Sequence, residues 1–385
     1  MFIRDQIHGD IEFSAAEMQL INSKSFQRMR YIKQLGFVDN IYPSAVHNRF
    51  QHSLGACKCI TDMYNAIVKA NPEFYQEGDL ELLRLIALVH DMGHSPFSHA
   101  SEELSDMTHE ARLYDILQLE SKNITIPNNY NVPTWKLVYE IYMGEGLTYM
   151  SNPHLMTLHT FMDNFIDADK LDYLQRDAVN CGVTYGRFDY EALIRNLVLI
   201  TDKTGIQRIG IMDTGVQALE GFILARYYMF SQVYMHPEER ITRQLFIQEM
   251  KSLLPNGKYP DDIKKFMQLD DTKYSRKLSC LYNLGYELVL DMEFNAETKL
   301  LLDRKLDGIA IADVAHKAIF RKDKEDNTIY VKSTLNSKII ACADASPILK
   351  KIEFTYVHRL RYYAKPSDAT NAKDIINKLI ERNLI

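Results

Sequence analysis

The sequence predicts a mostly α-helical protein with a smaller α+β part toward its C-terminus, and three observations carry that prediction. Apolar residues recur at helical spacing through most of the N-terminal two thirds. Strand-like runs are short and few. Leu80–His99 begins as an almost wholly apolar helix (Leu82, Leu83, Leu85, Ile86, Leu88, Val89), the pattern of a helix buried on most faces, and then sets His90 beside Asp91, with Gly93, His94, Pro96 and His99 following.

Asp5–Phe13 alternates weakly around His8-Gly9, which predicts a short extended segment and a turn. Met18, Ile21, Phe26, Met29 and Ile32 give helical spacing over Ala15–Leu35, a stretch that displays Gln27, Arg28, Arg30, Lys33 and Gln34 before Gly36 ends it. Asn48 is placed to cap a helix from about Arg49 to Lys69, with His52 in its first turn and Asn71-Pro72 at its end. Thr108 is placed to cap another, reaching about Leu119. Asn123–Pro133 is polar and turn-rich, and Trp135–Met143 and Asn152–Met162 are amphipathic. Asp167–Asp177 is a second dense polar cluster whose Asp169, Tyr173, Arg176 and Asp177 can share one helical face.

Leu193–Ile200 and Gly205–Met212, separated by Asp202–Thr204, read as a hairpin. Val216–Met235 predicts a long aromatic-rich helix kinked at His236-Pro237, with helical pattern continuing to about Leu253. The Pro255–Pro260 loop offers a boundary. The chain then divides into residues 1–254 and a C-terminal α+β region, 255–385, available for packing on the core or for oligomerisation. In that region helices are expected around Tyr274–Leu290, Ala296–Leu306 and Ala372–Ile385, and strands at Thr328–Leu335 and Ile352–His358.

A net charge of −6 argues against an unspecific grip on nucleic acid or anionic membrane, both of which require a positive field. The five cysteines (Cys57, Cys59, Cys181, Cys280, Cys342) are scattered, and Cys57-x-Cys59 lacks the second pair of a structural zinc site. No apolar signal core opens the sequence and no apolar run reaches the roughly 18 residues of a membrane span, so a reduced, cytoplasmic protein without membrane contact is expected.

A lone buried histidine is more often a satisfied core residue than a ligand. His90-Asp91 differs because His52 stands on a predicted helix upstream and Asp169 on another downstream. Two imidazoles and two carboxylates make an N/O set that a divalent cation neutralises, and such ligands suit Fe, Mn, Zn, Co or Ni. Four protein ligands leave room for water or a phosphate oxygen, and a metal-acidified water is a nucleophile near neutral pH. His94, His99 and His109 are candidate proton donors or phosphate contacts. Arg49, three residues before His52, offers a planar fork for phosphate, and Lys170 a point charge. Together these residues describe a metal-assisted phosphohydrolase.

The segments DQIHGDIEF (5–13), SFQRMRYIKQLG (25–36), HNRFQHSLG (47–55), HDMGHSPFSH (90–99), THE (108–110) and DADKLDYLQRD (167–177) resemble the HD phosphohydrolase superfamily. More narrowly, they resemble the deoxynucleoside triphosphate triphosphohydrolases of the SAM-and-HD-domain branch and its bacterial relatives. The resemblance implies an HD-domain helical core and a water attack at the α-phosphorus, releasing deoxynucleoside and intact triphosphate. At the matching positions it implies His52, His90, Asp91 and Asp169 as metal ligands. His99, supported by His109, is implied as the group protonating the departing 5′ oxygen, with His94 close to the α-phosphate.

Arg49, Lys170 and Tyr173 are implied to hold the triphosphate together with Mg²⁺, and Gln34 and Asp177 to bond the 3′-hydroxyl. Leu35 is implied to crowd the 2′ position against ribose. Regulated members bind an activating nucleotide at positions matching Asn22, Gln27 and Arg30; here Asn22 replaces the expected acid, and Arg4 stands where an asparagine is expected. No aromatic follows His236 where the family's sugar-contacting ring is expected. A homodimer or homotetramer is also implied. Two alternatives remain: an HD-type phosphohydrolase of other nucleotides or phosphomonoesters, and a nucleotide-sensing subunit without turnover.

Overall fold

The N-terminal segment pairs with itself before the helices begin. The computed structural model describes residues 1–124, 132–201, 205–278, 285–318, 329–352 and 356–385. Strands β1 (Phe2–Asp5) and β2 (Gly9–Glu12) form an antiparallel hairpin with Asp5 opposite Gly9. The single helix expected over Ala15–Leu35 is broken. Helix α1 (Ala15–Ile21) ends at Asn22, and Ser23 starts α2 (Lys24–Arg28) by accepting from Phe26 N, with a 3-10 turn over Met29–Tyr31. The serine hydroxyl offers the backbone a cap in place of a continued ladder, which apolar spacing alone does not register.

Helix α3 (Arg49–Ala70) starts at a capping box: Asn48 Oδ1 accepts from Gln51 N, and Gln51 Oε1 accepts from Asn48 N. This cap fixes the turn that carries Arg49 and His52. Asn48→Ala is expected to cost about 1 kcal/mol, seen as a drop of at most about 3 °C in Tm. Helix α4 (Asp79–Val89) packs along α3 with Leu82, Leu83, Leu85 and Leu88 buried and delivers His90 at its end.

Helix α5 (His109–Leu119) is capped by Thr108 through Ala111 N. Next come α6 (Thr134–Met143), α7 (Leu147–Met150), α8 (Pro153–His159), α9 (Ala168–Asn180) and α10 (Tyr190–Arg195). Asp167 caps α9 by accepting from Lys170 N. Gly55 lets α9 lie close to α3, since a Cβ there would stand 1.9 Å from Asp172 Oδ1.

Strands β3 (Leu197–Thr201) and β4 (Gln207–Met212) give the expected hairpin in shortened form, with Leu193 inside α10; Asp202–Thr204 lies outside the described residues. Helix α11 (Val216–Tyr228) passes into a π-helical turn at Met229–Tyr234 instead of continuing as α-helix, and α12 (Pro237–Leu253) begins with its proline in the first turn.

After Pro255 the chain returns to the helical body. Short helices α13 (Ile263–Phe266) and α14 (Thr272–Ser275) bury Phe266 and Tyr274 in a cluster with Phe37, Phe97 and Phe246. Of the helix expected around Tyr274–Leu290, only Tyr274 and Ser275 are helical among the described residues, at the end of α14, and residues 279–284 lie outside them. Strand β5 (Glu287–Glu293) begins within that range, paired with the last strand of the chain. Helix α15 (Ala296–Lys305) and strand β6 (Ala310–Ala318) follow.

Strand β7 (Tyr330–Lys332) is shorter than the Thr328–Leu335 strand expected, and β8 (Ile339–Ala341) follows it. β7 runs parallel to β4, with Val331 opposite Ile211, in the order β3-β4-β7-β8. Helices α16 (Cys342–Ala345) and α17 (Pro347–Ile352) lead to β9 (Tyr356–Ala364), which lies later than the Ile352–His358 strand expected; α18 (Pro366–Glu381) ends the fold. The sheet β5-β9-β6 has its own core, where Leu302, Leu360, Tyr362 and Ile376 meet. It docks on the start of α12 through Arg240, whose Nη2 lies 2.6 Å from Asp313 Oδ1, and through Tyr363 OH, which donates to Pro237 O at 3.0 Å. Cys280 lies outside the described residues, and among those described no helix is long and apolar enough to cross a membrane.

Candidate active site

Three helices bring the four predicted metal residues together: His52 from the first turn of α3, His90 and Asp91 from the end of α4, and Asp169 from the first turn of α9. His52 Nε2 lies 3.2 Å from His90 Nε2 and 2.8 Å from Asp169 Oδ1. His90 Nε2 lies 3.5 Å from Asp91 Oδ1 and 3.8 Å from Asp169 Oδ1. Ligands that sit about 2.0–2.2 Å from one ion are separated by distances of this order.

Both imidazoles are oriented through their other nitrogen. His90 Nδ1 donates to Ala87 O at 2.8 Å, and His52 Nδ1 donates to Asp172 Oδ2 at 2.7 Å. A carbonyl and a carboxylate only accept, so each Nδ1 carries a proton and Nε2 is the nitrogen that each ring can offer to a metal. Burial opposes charge on His52, yet Asp169 and Asp172 outweigh it and push the imidazole up to about 10. Burial likewise opposes charge on Asp169, but His52 and His90 hold that carboxyl at about 2. Positive charge is therefore called for where these groups meet. Asp91 Oδ2 has the same need: it is buried and accepts no well-directed hydrogen bond, although Arg49 Nη1 stands 2.6 Å away. The donor set fits a divalent cation.

Asp172 has a larger part than the sequence assigns it. It is 0 % exposed and accepts from His52 Nδ1, from His8 Nε2 at 2.7 Å, and from Arg176 Nε and Nη2 at 2.8 Å each. Arg176 Nη1 continues to Asp5 Oδ2 at 2.9 Å, so the N-terminal hairpin is tied to a metal-facing histidine. Arg176, expected to share a face with Asp169, Tyr173 and Asp177, is thereby turned into this network while those three line the cavity.

The segment 90–99 is folded sharply back. Phe97 (φ 64°) and Ser98 (φ 56°) adopt left-handed backbone, a strain that concentrates at functional sites. Asp271 holds it: Oδ1 accepts from Phe97 N at 2.7 Å while Oδ2 accepts from Lys33 N at 2.9 Å. Ser98 Oγ adds a bond to Lys33 O at 2.6 Å and accepts from Arg49 Nε at 2.7 Å.

The fold-back gathers the three remaining histidines. His94 stacks on His109 at 3.8 Å, and the His99 ring lies 4.8 Å from His94. Burial pushes His94 well below the usual imidazole range, with Arg49 and His109 adding to it, and takes His109 down to about 4. His99 is different, with its side chain 59 % exposed and Nδ1 2.5 Å from Glu102 Oε1. Glu102 is absent from the residues predicted. Its signal is the i, i+3 spacing from His99, which a 3-10 turn (Ser98–Leu104) places on one side.

A cavity of about 540 Å³ opens beside this cluster, with Gln34, Leu35, Arg49, Asp169, Lys170, Tyr173 and Asp177 in its wall. Two further residues stand out there. Tyr234 OH donates to Asp177 Oδ2 at 2.7 Å, opposite His47 Nε2 on Oδ1 at 2.7 Å. Arg226 Nη1 donates to Tyr173 OH at 3.3 Å. No aromatic follows His236, but the π-helical turn before it brings Tyr234 to the cavity wall. Lys170 Nζ reaches back to Asp167 and to Asn164 O at 2.9 Å. Asn22, Gln27 and Arg30 do not line the cavity. Asn22 is exposed at the end of α1, and Arg30 Nε donates to Gln27 Oε1 at 2.8 Å with its guanidinium 3.5 Å from the centre of the Phe50 ring.

Comparison with known proteins agrees with this geometry. Residues 49–129 match the HD domain and residues 188–288 the HD associated region. The chain is 33% identical to an uncharacterized protein of Methanocaldococcus jannaschii, over 70% of this chain and 53% of that one. It is 32% identical to the deoxynucleoside triphosphate triphosphohydrolase SAMHD1 of Mus musculus, over 50% of this chain and 33% of that one. The chain thus spans about half the length of the first relative and a third of the second. A crystal structure of a hypothetical protein from Aquifex aeolicus aligns with a TM-score of 0.82 at 25% identity, covering 98% of this chain and 99% of that one. His52, His90 and Asp91 fall inside the HD match and Asp169 between the two matched regions. The chain belongs to the HD-domain proteins, with an HD-associated region following its HD domain.

Proposed function

We propose that this protein is a metal-dependent phosphohydrolase that cleaves deoxynucleoside triphosphates at the α-phosphorus, releasing deoxynucleoside and intact triphosphate. The observation that carries the proposal is the cavity beside the His52, His90, Asp91 and Asp169 cluster, which also has Arg226, Arg240, Arg243 and Lys317 in its wall. The similarity to SAMHD1 supports the choice of substrate.

A divalent ion at the His/Asp set (Fe, Mn, Zn, Co or Ni) supplies Lewis acidity and an acidified water, with Mg²⁺ accompanying the triphosphate. The protein's own residues do the rest. Arg49, Lys170 and Tyr173, joined by Arg226, hold the triphosphate. His99, anchored at Nδ1 by Glu102, presents Nε2 to protonate the departing 5′ oxygen, with His109 beside it. His94, kept neutral by burial, stays close to the α-phosphate without adding charge. Gln34, whose Oε1 is buried without a hydrogen bond, and Asp177 take the 3′-hydroxyl, and Leu35 crowds the 2′ position. Asn22, Gln27 and Arg30 are the candidate contacts of a nucleotide activator in a homodimer or homotetramer.

The test is to incubate the protein with each dNTP and Mn²⁺ and to resolve triphosphate from orthophosphate. Triphosphate as the first product is expected. Stepwise orthophosphate release would instead indicate a phosphohydrolase of other nucleotides or phosphomonoesters, and binding without turnover a nucleotide sensor. Asp169→Asn is expected to lower turnover by at least about 100-fold, because several kcal/mol of charge stabilisation go with the ion. Unchanged turnover in that variant would refute the metal assignment.

A further inference from the structure

Glu239 lines the active-site cavity while its ordinary partners are engaged elsewhere. It holds the third position of α12, from which a glutamate commonly reaches back to the N–H of the capping residue. Here His236 N donates to Val233 O at 3.2 Å, and the cap bond is formed by His236 Nδ1, which accepts from Glu238 N at 3.3 Å. Arg243, one turn on and suited to an i, i+4 ion pair, donates from Nη2 to His99 O at 2.8 Å. Arg240 binds Asp313 through both Nε and Nη2. Glu239 is 7 % exposed, and among the described residues its carboxyl makes no hydrogen bond or ion pair. Burial pushes that carboxyl up to about 7 despite the nearby Arg243 and Arg240. A carboxyl so nearly buried has lost most of its water, and donors can reach it from the cavity it lines.

The surrounding wall indicates what brings those donors. Leu35, Gly36, Val38 and Met235 line the same cavity and give it apolar surface suited to a flat ring. The 3-10 turn Val38–Asn40 packs against α12, with the Phe37 ring 4.7 Å from that of Phe246. Of the carboxylates in that wall, Glu102 is held by His99, Asp169 by His52 and Asp177 by His47 and Tyr234. That leaves Glu239, beside the apolar surface, as the two-oxygen acceptor suited to a planar heterocycle with two adjacent N–H donors. Guanine presents them at N1 and its exocyclic amine. Thymine presents a single N–H between two carbonyl oxygens, which a carboxylate repels.

We propose that Glu239 reads the base, its carboxylate accepting from the ring N–H and the amino group of guanine, so that the site prefers dGTP to dTTP. This rests on the reading of the cavity as a nucleotide site. A carboxylate present only to balance Arg240 and Arg243 gives no base preference.

The experiment compares dGTP with dTTP in the whole chain and in Glu239→Gln, by rate of triphosphate release and by equilibrium binding in an Asp169→Asn background. A preference for dGTP of at least about tenfold is expected in the wild type, and Glu239→Gln is expected to bring it within about twofold while changing dTTP little. Equal use of the two nucleotides by the wild type, a preference for dTTP, or a loss common to both in the variant overturns the proposal. Should Glu239→Gln melt early, the wild-type preference and the Glu239→Ala variant decide instead. Selective dGTP binding that depends on Glu239, without triphosphate release from the wild type, would sink the hydrolase reading and leave the base-reading role standing.

Discussion

Alanine at Gly93 is expected to remove turnover and to cost about 2–3 kcal/mol or more in stability. Gly93 is not among the glycines with left-handed backbone, so alanine could adopt its dihedrals. What it lacks is room. An added Cβ would stand 1.9 Å from His109 O, 2.8 Å from the same carbonyl carbon and 3.2 Å from His109 Cα. All three obstacles are backbone at the first residue of α5, so relief requires that helix to move away. The stack of His94 on His109 would then open, and with it the arrangement that holds the phosphate-side histidines. Gly221 supplies a control. It lies within α11, where an added Cβ meets nothing closer than Phe188 Cβ at 3.9 Å, and Gly221→Ala is expected to gain up to about 1 kcal/mol through helix propensity and a stiffer unfolded chain. Melting curves and rates for the two variants check the pair. A Gly93→Ala protein that melts with the wild type and keeps its rate would remove the close approach from the explanation.

Much of the helical body is legible in the sequence because its signals are local. Asn48 and Thr108 each mark a helix start by chemistry within a few residues, and the structure places helices there. The failures occur where pairing partners are far apart in sequence. Ala310–Ala318 is alanine-rich and reads poorly as a strand, yet it pairs along its whole length with β9. Strand Glu287–Glu293, whose first part to Leu290 falls in an expected helix, pairs with the other edge of that strand. Strand propensity is weak, and cross-strand burial overrides it. The parallel contact of β7 with β4 joins segments more than a hundred residues apart, which no local pattern announces.

The site divides along the same line. The meeting of His52, His90, Asp91 and Asp169 is legible because each stands at an end of one of three predicted helices. Glu102, Tyr234, Arg226 and the bracing role of Asp271 are not, since each depends on how a turn or a distant segment packs. Asp271 shows this most clearly: it follows the Pro255–Pro260 loop, yet it holds Phe97 and Lys33 on opposite sides of the segment that presents His99.

Asp172→Asn is expected to lose about 3–5 kcal/mol of stability and to weaken metal binding by about 10–100-fold. The carboxylate receives four donors: His52 Nδ1 and Arg176 Nε on Oδ2, His8 Nε2 and Arg176 Nη2 on Oδ1. An asparagine has one oxygen, so its amide nitrogen must face one of these two pairs. Facing the first, it drives His52 to the other tautomer and puts a proton on Nε2, where a lone pair is needed for the metal. Facing the second, it leaves His52 intact but sets N–H against an arginine nitrogen, and in both cases the buried Arg176 keeps only the charge of Asp5. Asp5→Asn separates the two effects. Asp5 Oδ1 can still accept from Ile7 N and His8 N, and only the Oδ2 contact to Arg176 is lost. That variant should be destabilised while metal affinity stays within about threefold, because Asp172 still orients His52. Metal content after dialysis against a chelator, measured beside the melting temperature, distinguishes the cases. Equal loss of metal in both variants would assign the effect to general loosening of the N-terminal hairpin, whereas loss confined to Asp172→Asn places it at the tautomer of His52.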